Sequence, residues 1–318
     1  CKRRLLYRLF WRHNTRFLPQ PTGKRHSSMN TIKAGLIKAL LWFCAVLPLS
    51  WARALGRGCA WLYWPVGGRS RKVTVRNIEL AFPELSPGQQ CDLARRSLSA
   101  TGELVTEMGH VWLRSWPYVQ SLITEVHGAE LVADAQRARR GVIVLAPHLG
   151  NWEIVGLHLG LLGSTVSLYE PPALPALGPM IERARQRSGA TLVPTDSRGL
   201  ARLLKSVKQG NISGILPDQA PPQLNAGENS PFMGVSCFTG TLASNMIRRT
   251  GALAVFGFAE RVPGGFVVRY LPAEDAIYDA DNSVSLAALN RGVEACLRHC
   301  VAQYQWEYKR FRVRPRQC

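Results

Sequence analysis

The chain has 318 residues, 46% of them hydrophobic and 19% charged, and its 40 Lys and Arg against 21 Asp and Glu give a net charge of +19. Apolar content near the globular norm excludes a disordered chain, and the sequence has no apolar run of the roughly 18–20 residues that each span of a polytopic membrane protein needs. The eight cysteines, with no CxxC pair, are too few for a disulfide scaffold, so we expect reduced thiols in a protein that faces the cytosol. So basic a charge predicts an anionic partner: nucleic acid, an anionic membrane surface, or an acidic substrate or carrier.

The first 28 residues contain eight Lys and Arg and no acidic residue. The first methionine is Met29, and the stretch before it has no clear periodicity. We therefore interpret residues 1–28 as a basic N-terminal stretch that is either upstream read-through, and so not native, or a poorly ordered arm. A transit peptide, which is Arg-rich and poor in acids, stays open as the alternative.

Residues 29–68 contain two uncharged apolar runs, at 39–52 and 58–68, which hold four of the nine tryptophans. The first run has Pro48 in it and is short for a membrane span. Trp-rich apolar stretches flanked by Lys and Arg are typical of an interfacial or shallowly inserted anchor. We therefore expect residues 29–68 to be a membrane-associated helical segment. The alternative is a pair of core helices.

Residues 73–116 have a helical pattern, and from residue 141 short apolar runs alternate with amphipathic segments. Strands are predicted at 141–147, 165–169, 191–194, 212–216, 253–259 and 266–271, and helices at 151–162, 177–187, 199–208, 241–249 and 285–302. This alternation predicts an α/β fold with a mixed central sheet flanked by helices, and chemistry in the loops after the strands. Residues 218–238 form the longest predicted irregular stretch, and such loops are often functional.

The segment Ala146-Pro-His-Leu-Gly-Asn-Trp-Glu153 is the best candidate for a reactive site. His148 follows a buried strand, and Glu153 falls in the first turn of the next helix. Across such a junction the two side chains can converge, so the carboxylate could fix the imidazole tautomer while the other ring nitrogen takes a proton from a hydroxyl. The alternative is a capped turn whose histidine has no chemical role.

Four segments of the sequence occur in the order of the motifs of one enzyme family. They are His148-x4-Glu153, Leu216-Pro-Asp218-Gln219, Pro231-Phe-Met-Gly-Val with Thr239-Gly-Thr, and Gln303-Tyr-Gln-Trp306-Glu-Tyr-Lys-Arg310-Phe311-Arg-Val-Arg-Pro315. Together they resemble the bacterial lipid A biosynthesis acyltransferases, the lauroyl/myristoyl branch of the lysophospholipid acyltransferase superfamily. The resemblance covers about residues 30–315. The sequence departs from it at Lys309, where Arg is common, and has Glu153 where the family allows Asp or Glu.

The resemblance implies an enzyme that moves an acyl chain from acyl carrier protein to a hydroxyl of a Kdo-bearing, lipid IVA-type precursor. It also implies a place on the cytoplasmic face of the bacterial inner membrane, with residues 69–318 as the acyltransferase domain. No metal or organic cofactor is implied, because the thioester of the donor supplies the driving force.

Roles for individual residues follow from the same resemblance. His148 would be the general base and Glu153 its orienting partner. Arg187 would stabilise the tetrahedral intermediate, and Asp218 would place substrate. Asn151 is expected to contact substrate as well.

The basic C-terminal segment is a further candidate for binding. Arg310, with Arg312 and Arg314, could meet the acidic carrier protein or substrate phosphates. The alternative is a solvated basic tail.

Two other functions stay open at this point. The same chemistry could act on another glycolipid or on a lysophospholipid, because the His148-x4-Glu153 motif does not distinguish acceptors. The chain could instead be a non-catalytic membrane- or nucleic-acid-binding protein. No recognised nucleic-acid motif is present, so nucleic acid is not expected as a partner.

Overall fold

The structure, a computed structural model, describes residues 24–312 as a mixed central sheet flanked by helices. The helices are α1 (Lys24–Val46), α2 (Leu49–Tyr63), α3 (Arg69–Ala81), α4 (Pro87–Leu113), α5 (Trp116–Ser121), α6 (Ala129–Arg137), α7 (Trp152–Leu162), α8 (Gly178–Gln186), α9 (Ser197–Lys208), α10 (Leu242–Thr250) and α11 (Asn282–Cys300). The strands are β1 (Ile123–His127), β2 (Val142–Leu145), β3 (Val166–Tyr169), β4 (Thr191–Pro194), β5 (Ile212–Ile215), β6 (Gly227–Phe232), β7 (Val235–Gly240), β8 (Leu253–Val262) and β9 (Gly265–Pro272).

The central sheet has the strand order β1–β9–β8–β2–β5. Strands β8 and β9 are antiparallel, and the other neighbours are parallel. The parallel pair β3–β4 lies beside β5, which it meets at a bridge between Thr165 and Ile212. The predicted α/β class and mixed sheet are confirmed, including the strand pair that turns at Pro263-Gly-Gly.

Both faces of the central sheet are buried, as β2 shows. Val142 and Val144 belong to one hydrophobic core, with residues of α4, α6 and α7. Ile143 and Leu145 belong to a second core, with residues of α3, α9, α10 and α11. Because successive side chains of a strand point to opposite faces, an uninterrupted apolar strand is what a sheet covered on both sides requires.

Part of the predicted long loop is a β-hairpin. Strands β6 and β7 pair in antiparallel register across a two-residue turn, Met233-Gly234, in which both φ angles are positive, at 51° and 72°. This turn type favours Asn-Gly or Gly-Gly, so the methionine concealed it in the sequence. Strand β1 and helix α6 were likewise not predicted.

The N-terminal apolar segment folds as a helical hairpin that packs on α4 through one face. Pro48 separates α1 from α2, at the interruption seen in the sequence. Helices α2 and α4 approach so closely that a Cβ added to Gly56 would lie 2.3 Å from the carbonyl oxygen of Gly102. Helix α1 begins before the predicted boundary at residue 28, and residues 1–23 of the predicted basic stretch lie outside the described residues.

The other face of this hairpin is exposed and apolar. Trp51 and Trp61 are 67% and 74% exposed, and Leu36 is 67% exposed. Within residues 24–312, no helix combines the length and hydropathy that a bilayer span requires.

Candidate active site

The ends of two neighbouring strands bring His148 and Asp218 together. Strands β2 and β5 are parallel, with Leu145 opposite Ile215. His148 and Asp218 each come three residues after these positions, at the same edge of the sheet. The Nδ1 atom of His148 lies 2.8 Å from Oδ1 of Asp218, and the backbone N–H of His148 donates to Oδ2 at 2.9 Å. One carboxylate therefore fixes both the ring and the backbone of the histidine.

This pairing corrects the role expected for Glu153, because Asp218 is the carboxylate that holds the imidazole. Oε2 of Glu153 accepts hydrogen bonds from Nε of Arg185 at 2.9 Å and from Nε1 of Trp112 at 3.2 Å. Burial opposes ionisation of Glu153, but the charge and hydrogen bonds of Arg185 outweigh it and hold the pKa of Glu153 below its ordinary value. Glu153 is therefore an anion paired with arginine.

The pairing also corrects the role expected for Asp218, which orients the histidine instead of placing substrate. Burial disfavours the charged carboxylate, but the charge of His148 and its hydrogen bonds hold the pKa of Asp218 below the ordinary value. An anionic Asp218 can only accept hydrogen bonds, so Nδ1 carries the proton whenever the ring holds a single one. Nε2 is then the acceptor nitrogen, the form that a general base needs.

Arg187, the candidate for stabilising the tetrahedral intermediate, is held at the C-terminal end of α4, and its role toward the intermediate stays a prediction. Its guanidinium donates to the carbonyl of Arg114 at 2.7 Å and to the carbonyl of Val111, at the C-terminal end of α4. These are the orphan carbonyls that a helix end leaves to be satisfied by other groups. Arg185, which was not predicted from the sequence, is the arginine that binds Glu153.

Asn151 connects the loop after β2, residues 146–151, to a buried charge cluster. Its Nδ2 donates to Oε2 of Glu107 at 3.0 Å, and its backbone N–H donates to Ala259 at 2.9 Å. Glu107 also accepts hydrogen bonds from Arg53 of α2, at 2.7 Å, and from Arg261 of β8, at 2.9 Å. The sequence analysis did not assign Glu107 a role. A contact between Asn151 and substrate stays a prediction.

Charge balance keeps Glu107 ionised inside this cluster. Burial would raise its pKa, but Arg261 first, then Arg53 and Asn151, hold the pKa of Glu107 below its ordinary value. Because each partner comes from a different element, the cluster joins the helical hairpin, the sheet and the loop after β2.

The predicted contact of Arg310 with carrier protein or phosphate is wrong. Arg310 is 1% exposed, and its guanidinium donates to Phe238 at 3.0 Å, Thr239 at 3.2 Å and Asn290 at 2.8 Å. A buried arginine with these partners links β7 to α11 and does not face a ligand. Arg312 is exposed, and Arg314 lies outside the described residues.

The C-terminal segment supports the loop after β2 through backbone hydrogen bonds. The N–H of Gln305 donates to the carbonyl of His148 at 3.0 Å, and the N–H of Gly150 donates to Gln303 at 3.1 Å. Gly150 has a φ of +60°, and a Cβ there would lie 1.9 Å from the carbonyl oxygen of Ala259. The loop therefore needs glycine at this position.

The family follows from comparison with known proteins. The sequence profile of the family described as "Bacterial lipid A biosynthesis acyltransferase" matches residues 21–313. The chain belongs to this family. The resemblance drawn from the four motifs is thereby confirmed, and this lipid A acyltransferase is an enzyme that acylates in lipid A biosynthesis.

Curated relatives of this lipid A acyltransferase agree with that placement. The lipid A biosynthesis lauroyltransferase of Escherichia coli (strain K12) is 28% identical over 284 residues, which cover 87% of this chain and 90% of the relative. The palmitoleoyltransferase of the same organism is 24% identical over 282 residues, covering 87% and 90%. A lipid A biosynthesis acyltransferase of Haemophilus influenzae is 24% identical over 276 residues, covering 85% and 86%.

Proposed function

We propose that this enzyme transfers a fatty acyl chain from acyl carrier protein to a hydroxyl of a Kdo-bearing, lipid IVA-type precursor. The observation that carries the proposal is the His148–Asp218 pair, in which Nε2 of the imidazole is the acceptor nitrogen. The alternative that keeps the same chemistry is another glycolipid or a lysophospholipid as acceptor.

The transfer proceeds through a tetrahedral intermediate. Nε2 of His148 takes the proton of the acceptor hydroxyl as its oxygen attacks the thioester carbonyl, and a C–O bond forms. The intermediate then collapses, the C–S bond breaks, and the thiolate of the carrier takes the proton from the imidazolium. Asp218 stabilises the imidazolium while it lasts.

The negative oxygen of the intermediate needs a cation or N–H donor. Arg185 is our candidate in place of Arg187, because its side chain is 34% exposed and so still faces solvent while it pairs with Glu153. The Glu153–Arg185 pair fixes the plane of the guanidinium, which limits its motion at the reacting centre.

Two surface features support the proposal, one for contact with a membrane and one for an anionic partner. The exposed Trp and Leu side chains of α1 and α2 suit the interfacial region of a bilayer, so residues 29–68 are proposed as the anchor and 69–318 as the catalytic domain. Helix α9 carries no acidic residue and exposes four basic ones, Arg198, Arg202, Lys205 and Lys208. Such a face complements an acidic carrier protein or anionic lipid. We propose the cytoplasmic face of the inner membrane as the place of this enzyme.

The experiment that tests the proposal uses membranes containing the full chain. They receive a Kdo-bearing tetra-acylated precursor and acyl carrier proteins loaded with chains of different length, and product masses are read. We expect transfer, and a loss of about 10²–10⁴-fold in kcat for His148→Ala. Transfer only to a lysophospholipid or another glycolipid would replace the acceptor, and no transfer to any acceptor from folded enzyme would refute the catalytic assignment.

A further inference from the structure

The side chain of Gln219 contacts the nitrogen of His148 that acts as the base. Its amide nitrogen lies 3.2 Å from Nε2 of the imidazole and donates to Oε1 of Gln305 at 2.9 Å. Because Asp218 holds a single ring proton on Nδ1, Nε2 of His148 is an acceptor, and the amide must present an N–H to it. A primary amide has two N–H groups, one for each of these acceptors. In the free enzyme the base is therefore already hydrogen-bonded to the protein.

The main chain beside Gln219 is held in place. The N–H of Ala220 donates to the hydroxyl of Tyr308 at 2.8 Å, and on the other side Asp218 binds the imidazole of His148 at 2.8 Å. The amide can therefore leave Nε2 by a rotation of the Gln219 side chain, with no movement of the loop. Such a change of rotamer is fast compared with the turnover of an enzyme.

A hydroxyl that uses the base must take the place of this amide. The unprotonated nitrogen of an imidazole has one lone pair, which accepts one hydrogen bond. His148 is 3% exposed, whereas Gln219 is partly exposed, so a ligand from outside can reach the amide and turn it away. Access to the base is therefore controlled by the position of one side chain.

Displacement of the amide costs the same hydrogen bond for water as for the acceptor, but only the acceptor has a means to offset that cost. Water exchanges one neutral hydrogen bond for another at Nε2 and makes no further contact. A glycolipid is also bound through the rest of its body, and such remote binding energy can offset a local cost at the reacting centre. Gln219 therefore keeps the base from water more than from a bound acceptor hydroxyl.

We propose that Gln219 determines specificity for the acceptor over water, by holding Nε2 of His148 in the free enzyme and so suppressing hydrolysis of the acyl donor. The inference rests on the proposed function, in which His148 is the base and a thioester is the donor. In the suppressed reaction Nε2 takes a proton from water while the water oxygen attacks the thioester carbonyl, and a C–O bond forms. The C–S bond then breaks, and the thiolate takes the proton from the imidazolium, which gives a free fatty acid and a thiol.

The test measures hydrolysis of the donor by the full-length enzyme in membranes, with no acceptor present. The probes are dodecanoyl acyl carrier protein and dodecanoyl coenzyme A, and both the released fatty acid and the released thiol are measured. Gln219→Met keeps the length of the side chain but cannot donate, so we expect hydrolysis about threefold to tenfold faster than with wild type, the worth of one hydrogen bond. Gln223→Met, at an exposed glutamine of the same loop, is the matched control and should hydrolyse at the wild-type rate.

A gain in hydrolysis distinguishes this role from a structural one, because a damaged fold lowers hydrolysis and transfer together. Gln305→Met leaves Gln219 in place but removes its anchor, so it should give a smaller gain, and it decides the test if Gln219→Met does not fold. The gain must also need the base: His148→Ala with Gln219→Met should hydrolyse no faster than His148→Ala alone. Hydrolysis at or below the wild-type rate in both glutamine variants, or a gain that survives the loss of His148, overturns the proposal.

Transfer to the Kdo-bearing precursor is measured in parallel. With acceptor present, the ratio of free fatty acid to ester should be higher in Gln219→Met than in wild type, and an unchanged ratio would count against the proposal. If wild-type enzyme makes no ester with any acceptor, the proposed function fails. Hydrolysis still judges Gln219 in that case, because it needs only the thioester and the base.

Discussion

Arg185 and Glu153 form a two-point ion pair, in which Nε and Nη2 of the guanidinium donate to the two oxygens of one buried carboxylate. Two residues further along the chain, Arg187 binds the carbonyls that end α4. Helical geometry sends side chains two positions apart in different directions, which explains why neighbouring arginines have separate partners.

This separation gives a paired prediction. Arg185→Lys cannot reproduce the fork, so we expect a loss of about 10–100-fold in kcat with little change in melting temperature. Arg187→Lys should lower the melting temperature and leave kcat of the folded fraction within about threefold of wild type. Measuring both quantities in both variants checks this, and a larger activity loss in Arg187→Lys would contradict it.

Asp218→Asn should inactivate the enzyme by imposing the wrong histidine tautomer. The backbone N–H and Nδ1–H of His148 both need an acceptor, and asparagine has one oxygen for the two. If that oxygen stays on the backbone N–H, the amide donates to Nδ1 and the proton moves to Nε2, which can no longer accept one. We expect kcat to fall about 10²–10⁴-fold. Asp196→Asn, an exposed helix cap, is the matched control, and equal losses in both would point to damage of the fold.

Glu307 should make the free energy of unfolding depend on pH in the opposite sense to Glu153 and Asp218, which are paired with basic side chains. Its pKa rises from 4.5 to about 7 on folding, so the native state holds a proton that the unfolded chain releases. Between these values the free energy of unfolding should fall as pH rises. We therefore expect Glu307→Gln to be more stable than wild type by about 1–3 kcal/mol at pH 8 and equal to it near pH 4.

Thermal unfolding of Glu307→Gln and wild type at the two pH values measures that difference. A variant that is less stable than wild type at pH 8 would mean that the carboxylate is well accommodated in the fold.

Gly56 should tolerate no side chain, while Gly58 on the same helix should. A Cβ on Gly56 would overlap the backbone of Gly102, whereas one on Gly58 meets no atom within 4 Å. Gly56→Ala is therefore expected to reduce the free energy of unfolding by about 1–3 kcal/mol or more. Gly58→Ala should raise it by about 0.5–1 kcal/mol. Chemical denaturation of both variants tests the pair, and similar values would mean that α2 does not lie against α4.

The exposed tryptophans of α2 should govern binding to lipid. We expect Trp51→Ser with Trp61→Ser to reduce the fraction of enzyme that floats with vesicles of anionic phospholipid severalfold. Leu224→Ser, at an exposed apolar position outside the hairpin, is the control. Unchanged flotation of the double variant would assign membrane contact to another surface.

The sequence predicted the histidine but not its partner. The loop after β2 was recognisable from an apolar run followed by a polar turn, and the same is true of the loop after β5. That these loops are neighbours depends on the order β8–β2–β5, which no local pattern encodes because strand pairing is set by the whole chain. Glu153 was chosen over Asp218 because it is close to His148 in sequence.

Arg310 and Glu107 were also misjudged because only the neighbouring sequence was available. Arg310 sits in a basic segment, and charge patterning alone predicts exposure for it, whereas its partners on β7 and α11 come from distant parts of the chain. Glu107 lies in an amphipathic helix among apolar residues, where a periodic pattern does not reveal two arginines arriving from other elements.

Arg53 connects the N-terminal hairpin to the interior of the enzyme. The helix that exposes tryptophans to solvent also places a guanidinium against Glu107, and Glu107 binds Asn151 of the loop after β2. Cutting the chain near residue 68 would remove one of the two cations that keep this glutamate charged and would uncover the surface of α4 around Gly102. The boundary proposed at residue 68, between an anchor and a catalytic domain, is therefore a change of amino-acid composition along the chain and not a place at which the protein can be divided.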